Sequence, residues 1–224
     1  MSDARLAVVS TWQRATPALI VGRIVVVIDV LRWSTVVLTA LELGAERVDV
    51  FATPDQARAR AAELGRGRVL LGGERESAPI MGFDVGNSPS EYTSARVRDR
   101  VVVTTTTNGT QALLAALVRG ADVTLLCAGQ TAEETVEDTA CAGALADTLI
   151  QTNQLAAADC DEPTARARSL WLEHRRSTQQ MMGASPHAAA LRAAGDAPDV
   201  TVASRFSTLG QVGRQAQDGA ILAS

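Results

Sequence analysis

The sequence predicts an α/β protein, a layered fold with a parallel or mixed central sheet flanked by helices. Three observations carry that reading. Short runs rich in Val and Ile alternate with stretches of helical periodicity, a βαβα rhythm that builds sheets covered by helices. Several of these runs are apolar almost throughout, as strands covered on both faces are. At 224 residues with 46% apolar side chains, the chain is long enough to bury a sizeable core.

The elements follow in order. LAVVS (6–10) reads as a first strand and RIVVVIDV (23–30) as a second, buried on both faces. Ser34 and Thr35 cap a helix through VVLTALELGA, which Gly44 ends. RVDVFA (47–52) is a third strand, followed by a helix over PDQARARAAELG with Pro54 in its first turn and Gly65 as its stop. VLLGGE (69–74) is the fourth strand. Residues 77–93, punctuated by proline and glycine, form an ordered loop of the kind that usually serves a function. VVVTT (101–105) leads into a helix over TQALLAALVRG, and VTLLCAG (123–129) into a helix from about residue 133 to 149. Beyond Thr152 the character changes. Residues 155–162 are rich in Ala and Asp. Helices are expected at 163–180 and 186–195, a strand at DVTVASRF (199–206) and a last short strand in DGAILAS. The whole reads as one domain, 1–224, with residues 155–224 a candidate smaller lobe.

Composition excludes several chemistries. All 21 cationic side chains are arginine. Without lysine there is no Schiff base and no Walker A loop. Any anion clamp must use the planar guanidinium fork. Three cysteines without a CxxC pair favour reduced thiols and a cytoplasmic setting. No apolar stretch approaches the roughly 20 residues that span a bilayer, and no signal peptide is apparent. A net charge of −4 and the lack of a basic stripe argue against nucleic acid. The expected partner is a small anionic substrate; self-association is left open.

Four strand-like runs end in polar, chemically capable residues, and such ends converge on one crevice in open α/β sheets. Asp29 follows the second strand, with Arg32 and the Ser34–Thr35 helix start just beyond. It reads as a metal ligand, a nucleophile or a structural cap. GGER and GFDVGNSPSEY bring Glu74, Arg75, Asp84 and Asn87, an oxygen-rich set that suits Mg2+. In VVVTTTTNGT a strand enters a turn and a helix start, where Thr107, Asn108, Gly109 and Thr110 offer hydroxyls, an amide and backbone N–H groups to phosphate. Glu137 and Asp138 open the helix after the last of these runs. The two histidines, His174 and His187, read as surface or packing residues, and a zinc site built on them is not expected. Cys160 and Arg166 stand at cysteine-phosphatase spacing, but the acidic DEPTA between them would repel phosphate.

Taken in order, VIDVLRWST, GER…GFDVGNSPSEY, TTTTNGTQAL and CAGQTAEETVEDTACAGAL resemble the 2-phosphosulfolactate phosphatase family of coenzyme M biosynthesis, over most of residues 24–145. The resemblance implies a cytoplasmic Mg2+-dependent phosphatase that hydrolyses 2-phospho-3-sulfolactate to 3-sulfolactate and phosphate. With it, Asp29, Glu74 and Asp84 are the expected metal ligands, and Asp29, Glu137 and Asp138 the catalytic carboxylates. Arg32 and Arg75 are expected on the sulfonate or carboxylate, and the turn from Thr107 to Thr110 on the phosphate. Ser34, Asn87 and Ser88 are counted with the substrate-binding residues. Trp33 stands where the family commonly has a small residue, a departure expected to reshape the pocket beside Arg32.

Overall fold

The structure is a computed structural model, and it describes residues 5–76, 78–107, 122–205 and 208–223. In chain order the elements are β1 (Leu6–Val9), β2 (Arg23–Ile28), α1 (Trp33–Glu42), β3 (Arg47–Val50), α2 (Pro54–Leu64), β4 (Val69–Arg75), β5 (Ala78–Pro79), β6 (Val101–Thr105) and β7 (Asp122–Cys127). Five helices follow: α3 (Val136–Gln151), α4 (Glu162–His174), α5 (Thr178–Gly183), α6 (Pro186–Ala193) and α7 (Ala197–Ala203). The antiparallel pair β8 (Gly213–Gln215) and β9 (Ile221–Ala223) follows, and single helical turns lie at Pro17–Ile20 and Ser94–Val97. The expected helix over TQALLAALVRG lies outside the described residues.

Local chemistry accounts for most boundaries. Thr53 and Gln56 form a reciprocal capping box at the start of α2, with Pro54 in the first turn and Gly65 at the end. The side chain of Asp161 accepts from Thr164 N–H at the start of α4, and Ser185 accepts from Ala188 N–H at the start of α6. Each cap satisfies a backbone donor that the helix cannot.

The strands form two sheets. The first is all parallel, in the order β1-β7-β2. The second is mixed, in the order β5-β4-β6-β3-β9-β8, with β4, β6 and β3 parallel at its centre. Apolar faces pack helix against sheet: Trp33, Val36, Val37 and Leu41 of α1 join Val48, Leu70, Val102 and Tyr92 in one cluster, while α3 and α4 join β1 and β7 in another. Two neighbouring glycines let β4 carry its load. A side chain at Gly72 would strike the Tyr92 hydroxyl at 2.1 Å, and one at Gly73, whose φ is +143°, would strike Thr105 O at 2.1 Å.

Two expectations are corrected. β2 is an edge strand, not one buried on both faces, and Ile24 and Val26 are 50% and 36% exposed. A β-branched run does not reveal how many neighbours the strand will have. Residues 197–203 form a helix where a strand was expected. The alternation in DVTVA suggested period two, but Gly195 ends α6 with φ +91° and Pro198 sits in the next first turn, both helix-boundary signals. Packing then decides the matter, because Asp199 and Val200 point inward from the helix while Thr201 faces solvent. Among the described residues, no helix is long and apolar enough to cross a membrane.

Candidate active site

The carboxyl ends of β2 and β7 in one sheet, and of β4 and β6 in the other, meet around a group of buried acids. Asp29 leaves β2, is 7% exposed and caps α1: its Oδ1 accepts from Trp33 N–H at 3.1 Å. Ser34 tightens the same turn, accepting from Asp29 N–H at 2.9 Å and donating its own N–H to Asp29 O. Oδ2 of Asp29 has no hydrogen-bond donor among the described residues. Burial pushes the Asp29 carboxyl up to about 6; the Trp33 bond and the charge of His187 oppose this, and the charges of Glu74 and Glu137 add to it. The side chains of Asp29, Glu74, Glu137 and His187 therefore share one electrostatic neighbourhood.

Glu137 and Asp138 open α3, where the helix N-terminus favours negative charge. They are equally buried, at 3% exposed each, yet differently used. Asp138 spans the two strand ends of its sheet, its Oδ1 accepting from Val30 N–H at 2.8 Å and its Oδ2 from Gly129 N–H at 3.2 Å. Burial, with the neighbouring Asp29 charge, holds its carboxyl well above the usual range, and the two amide bonds only partly offset this. Glu137 meets His187 Nδ1 at 3.0 Å through Oε1, whereas its Oε2 is buried with no partner among the described residues. A buried carboxylate oxygen without a donor is costly unless something else binds there.

The remaining expected residues sort themselves by contact. Glu74, at the end of β4, accepts from Thr107 N–H at 2.8 Å and meets the Thr107 hydroxyl at 3.3 Å, so it braces the first residue of the Thr-rich turn. Asn108, Gly109 and Thr110 lie outside the described residues. Arg75 donates to Ala52 O, Thr105 Oγ1 and Glu74 O. Burial pulls its guanidinium down and Glu74 opposes the fall. Arg32 is buried and directs Nη1 at Asp196 (2.6 Å) and Asp199 (2.7 Å). Asp199 in turn accepts from the Ser88 hydroxyl at 2.7 Å, which ties the 87–90 loop to the strand end through α7. Asn87 is buried, with its Oδ1 unpaired among the described residues.

Asp84 is not brought to this group. It accepts from Leu71 N–H in the middle of β4 and pairs at 2.8 Å with the exposed Arg66. The Trp33 side chain packs into the core cluster with the other apolar residues of α1, while its backbone N–H reaches Asp29. Burial pushes the thiols of Cys127 and Cys141 up, and burial with the adjacent acids does the same for Cys160, so none is tuned as a nucleophile. A groove of about 780 Å³ between Arg176, Gln180 and Thr201 holds none of these acids, so the chemistry and not the volume locates the site.

His187 is the residue that sequence reading missed. It was expected to be a surface or packing side chain, and it stands against Glu137 with its side chain 14% exposed. The usable signal was Ser185-Pro186, a cap and first-turn pair that fixes His187 near a helix start. Asp196 and Asp199 were missed with it. No signal linked them to Arg32 across more than 160 residues.

Comparison with known proteins gives the family. The family described as 2-phosphosulpholactate phosphatase matches residues 11–119 and 115–218, which takes in all the acids above and His187. A protein from Symbiobacterium thermophilum, described as a probable 2-phosphosulfolactate phosphatase, is 38% identical over 161 residues, 60% of this chain and 69% of the relative. One from Synechococcus sp. strain JA-2-3B'a(2-13), with the same description, is 37% identical over 89% of this chain and 90% of its own length. A match that runs through both sheets and into the C-terminal helices leaves one assignment: the chain is a member of the 2-phosphosulfolactate phosphatase family, phosphoric monoester hydrolases.

Proposed function

We propose that the protein hydrolyses 2-phospho-3-sulfolactate to 3-sulfolactate and phosphate with the help of Mg2+, in the cytoplasm, as a step of coenzyme M biosynthesis. The observation that carries the site assignment is a buried carboxylate oxygen without a donor among the described residues, Glu137 Oε2, in the electrostatic neighbourhood of the buried Asp29 carboxyl at converging strand ends.

The donor set fits a magnesium ion better than zinc or calcium. Among the described residues no three His, Cys, Asp or Glu side chains form a ready cage. Mg2+ needs only one or two carboxylates, completing its shell with water and phosphate oxygens. Asp29 would hold it, with Glu74 close by. The ion, when bound, withdraws charge from the phosphoryl oxygens and favours attack on phosphorus.

The chain's own residues supply the rest. Glu137, rather than Asp138, is suited to take a proton from the attacking water, because Oε2 is free while both Asp138 oxygens hold backbone amides. Thr107 N–H is engaged by Glu74; we assign the phosphate to Thr107 together with Asn108, Gly109 and Thr110, the last three lying outside the described residues. Arg75 and Arg32 offer guanidinium groups for the sulfonate and carboxylate. Each is pinned by protein oxygens, which fixes its charge in place before substrate arrives. Ser34, Asn87 and Ser88 complete the polar lining in this proposal.

The test is phosphate release from a panel of phosphorylated carboxylates and sulfonates, with Mg2+ and with chelator. Metal-dependent release from phosphosulfolactate in preference to the others is the expected result. Release only from sulfur-free esters would move the assignment to another small phosphorylated acid. Turnover unchanged by chelator would overturn the role given to Mg2+.

A further inference from the structure

The contact between α6 and α3 has a chemical sense that the fold alone does not require. Glu137 and His187 are fifty positions apart, yet Glu137 Oε1 and His187 Nδ1 meet at 3.0 Å. An ionised Glu137 can only accept, and the bond then has Nδ1–H as its donor. The histidine cannot swing away. Ser185 caps its helix from a buried position, and Ala188 and Leu191 on the same helix are buried in a cluster with Leu31, Met182 and Val200. That cluster includes Leu31, two residues from Asp29. His187 is thus held on the segment that carries the first strand-end acid while gripping the helix that carries the second.

The consequence falls on the other oxygen of Glu137. A glutamate side chain with neither oxygen anchored samples several rotamers, but an anchored Oε1 leaves Oε2 one place to be, buried and unpaired. We infer that His187 is a positioning residue, whose Nδ1–H bond to Oε1 aims Oε2 of Glu137 at the reacting centre. This rests on the phosphatase reading for its effect on rate, although the bond can be tested without turnover. Partners of this kind orient an active group through one bond, and their loss typically lowers activity or metal affinity by about 10- to 100-fold.

The experiment uses His187→Ala, His187→Asn and His187→Gln in the full chain. The Asn amide N–H can occupy the place of Nδ1, whereas the Gln amide reaches toward the place of Nε2. The expected pattern is a kcat reduced about 10- to 100-fold in His187→Ala with KM little changed, restored to within about fivefold by Asn and not by Gln. In a Glu137→Ala background, His187→Ala should have no further effect, since the two act as a unit. A second readout needs no activity. The chain has two histidines, so ring-15N labelling yields two imidazoles. One of them should show an Nδ1–H tautomer that Glu137→Ala abolishes. A failed substrate panel with this tautomer intact would sink the phosphatase reading and keep the bond. The positioning role is overturned if Asn and Ala are equally impaired, or if Glu137→Ala leaves both histidine spectra unchanged.

Discussion

Replacing Asp29 with Asn should make the metal-free protein more stable at alkaline pH while removing its activity. Burial is the dominant influence on this carboxyl and lifts it from 3.8 to about 6. At about 1.4 kcal/mol per pH unit, that rise amounts to about 3 kcal/mol between the two protonation states. The sign follows from the direction. A carboxyl that holds its proton more tightly in the folded state stabilises the fold below the unfolded value. That contribution is lost as pH rises through about 6. Asn mimics the protonated form. Its oxygen can still accept from Trp33 N–H, and its amide would stand where Oδ2 now faces the charges of Glu74 and Glu137. Relief of the neighbouring Asp138, which is held up partly by the Asp29 charge, acts in the same direction. The variant should match the wild type at about pH 4 and exceed it by up to about 3 kcal/mol at about pH 8, or about 6–12 °C in Tm for a chain of this size. Urea and thermal unfolding in chelator at the two pH values measure the difference directly. A difference that is equal at both pH values, or a variant less stable at pH 8, would refute the argument that burial governs Asp29.

Three further outcomes are expected. Arg32→Met should cost about 3–5 kcal/mol in urea unfolding, because it leaves Asp199 buried without its cation; the double variant with Asp199→Leu should recover part of that loss. Asp84→Asn should leave kcat within about twofold, in contrast to Asp29→Asn, because the Arg66 pair is partly exposed and pairs of that kind contribute about 0–1 kcal/mol. Gly143→Ala should lower Tm by several degrees, since the added carbon would lie 2.0 Å from Ala167 O and force α3 away from α4.

The parts of the site legible in the sequence are those made by local chemistry. An apolar strand followed by Asp29, or Glu137 and Asp138 opening a helix, each depend on neighbours within a turn; the cap expected of Ser34 and Thr35 is not found, because α1 already begins at Trp33 and Ser34 accepts from Asp29 N–H instead. What escaped reading depends on distant neighbours. RIVVVI has the composition of a central strand, and only the order β1-β7-β2 leaves it at an edge. DVTVA alternates like a strand, and the burial of Asp199 against Arg32 gives it a helical face instead. A lone histidine on a predicted helix has many ordinary uses, so His187 acquires meaning only once α6 is seen beside α3.

The clamp formed by Asp138 has an implication for how such a site diversifies. With Val30 and Gly129 stapled by one carboxylate, the base of the crevice is set by backbone and cannot shift without breaking the sheet. The covering wall is of another kind: His187, Asp196 and Asp199 reach it as side chains from short helices late in the chain. Substitutions in those helices can reshape the space over the buried acids while the floor keeps its geometry. Changes of substrate within such a scaffold would then accumulate in the C-terminal helices, and changes of reaction type would require rebuilding the floor.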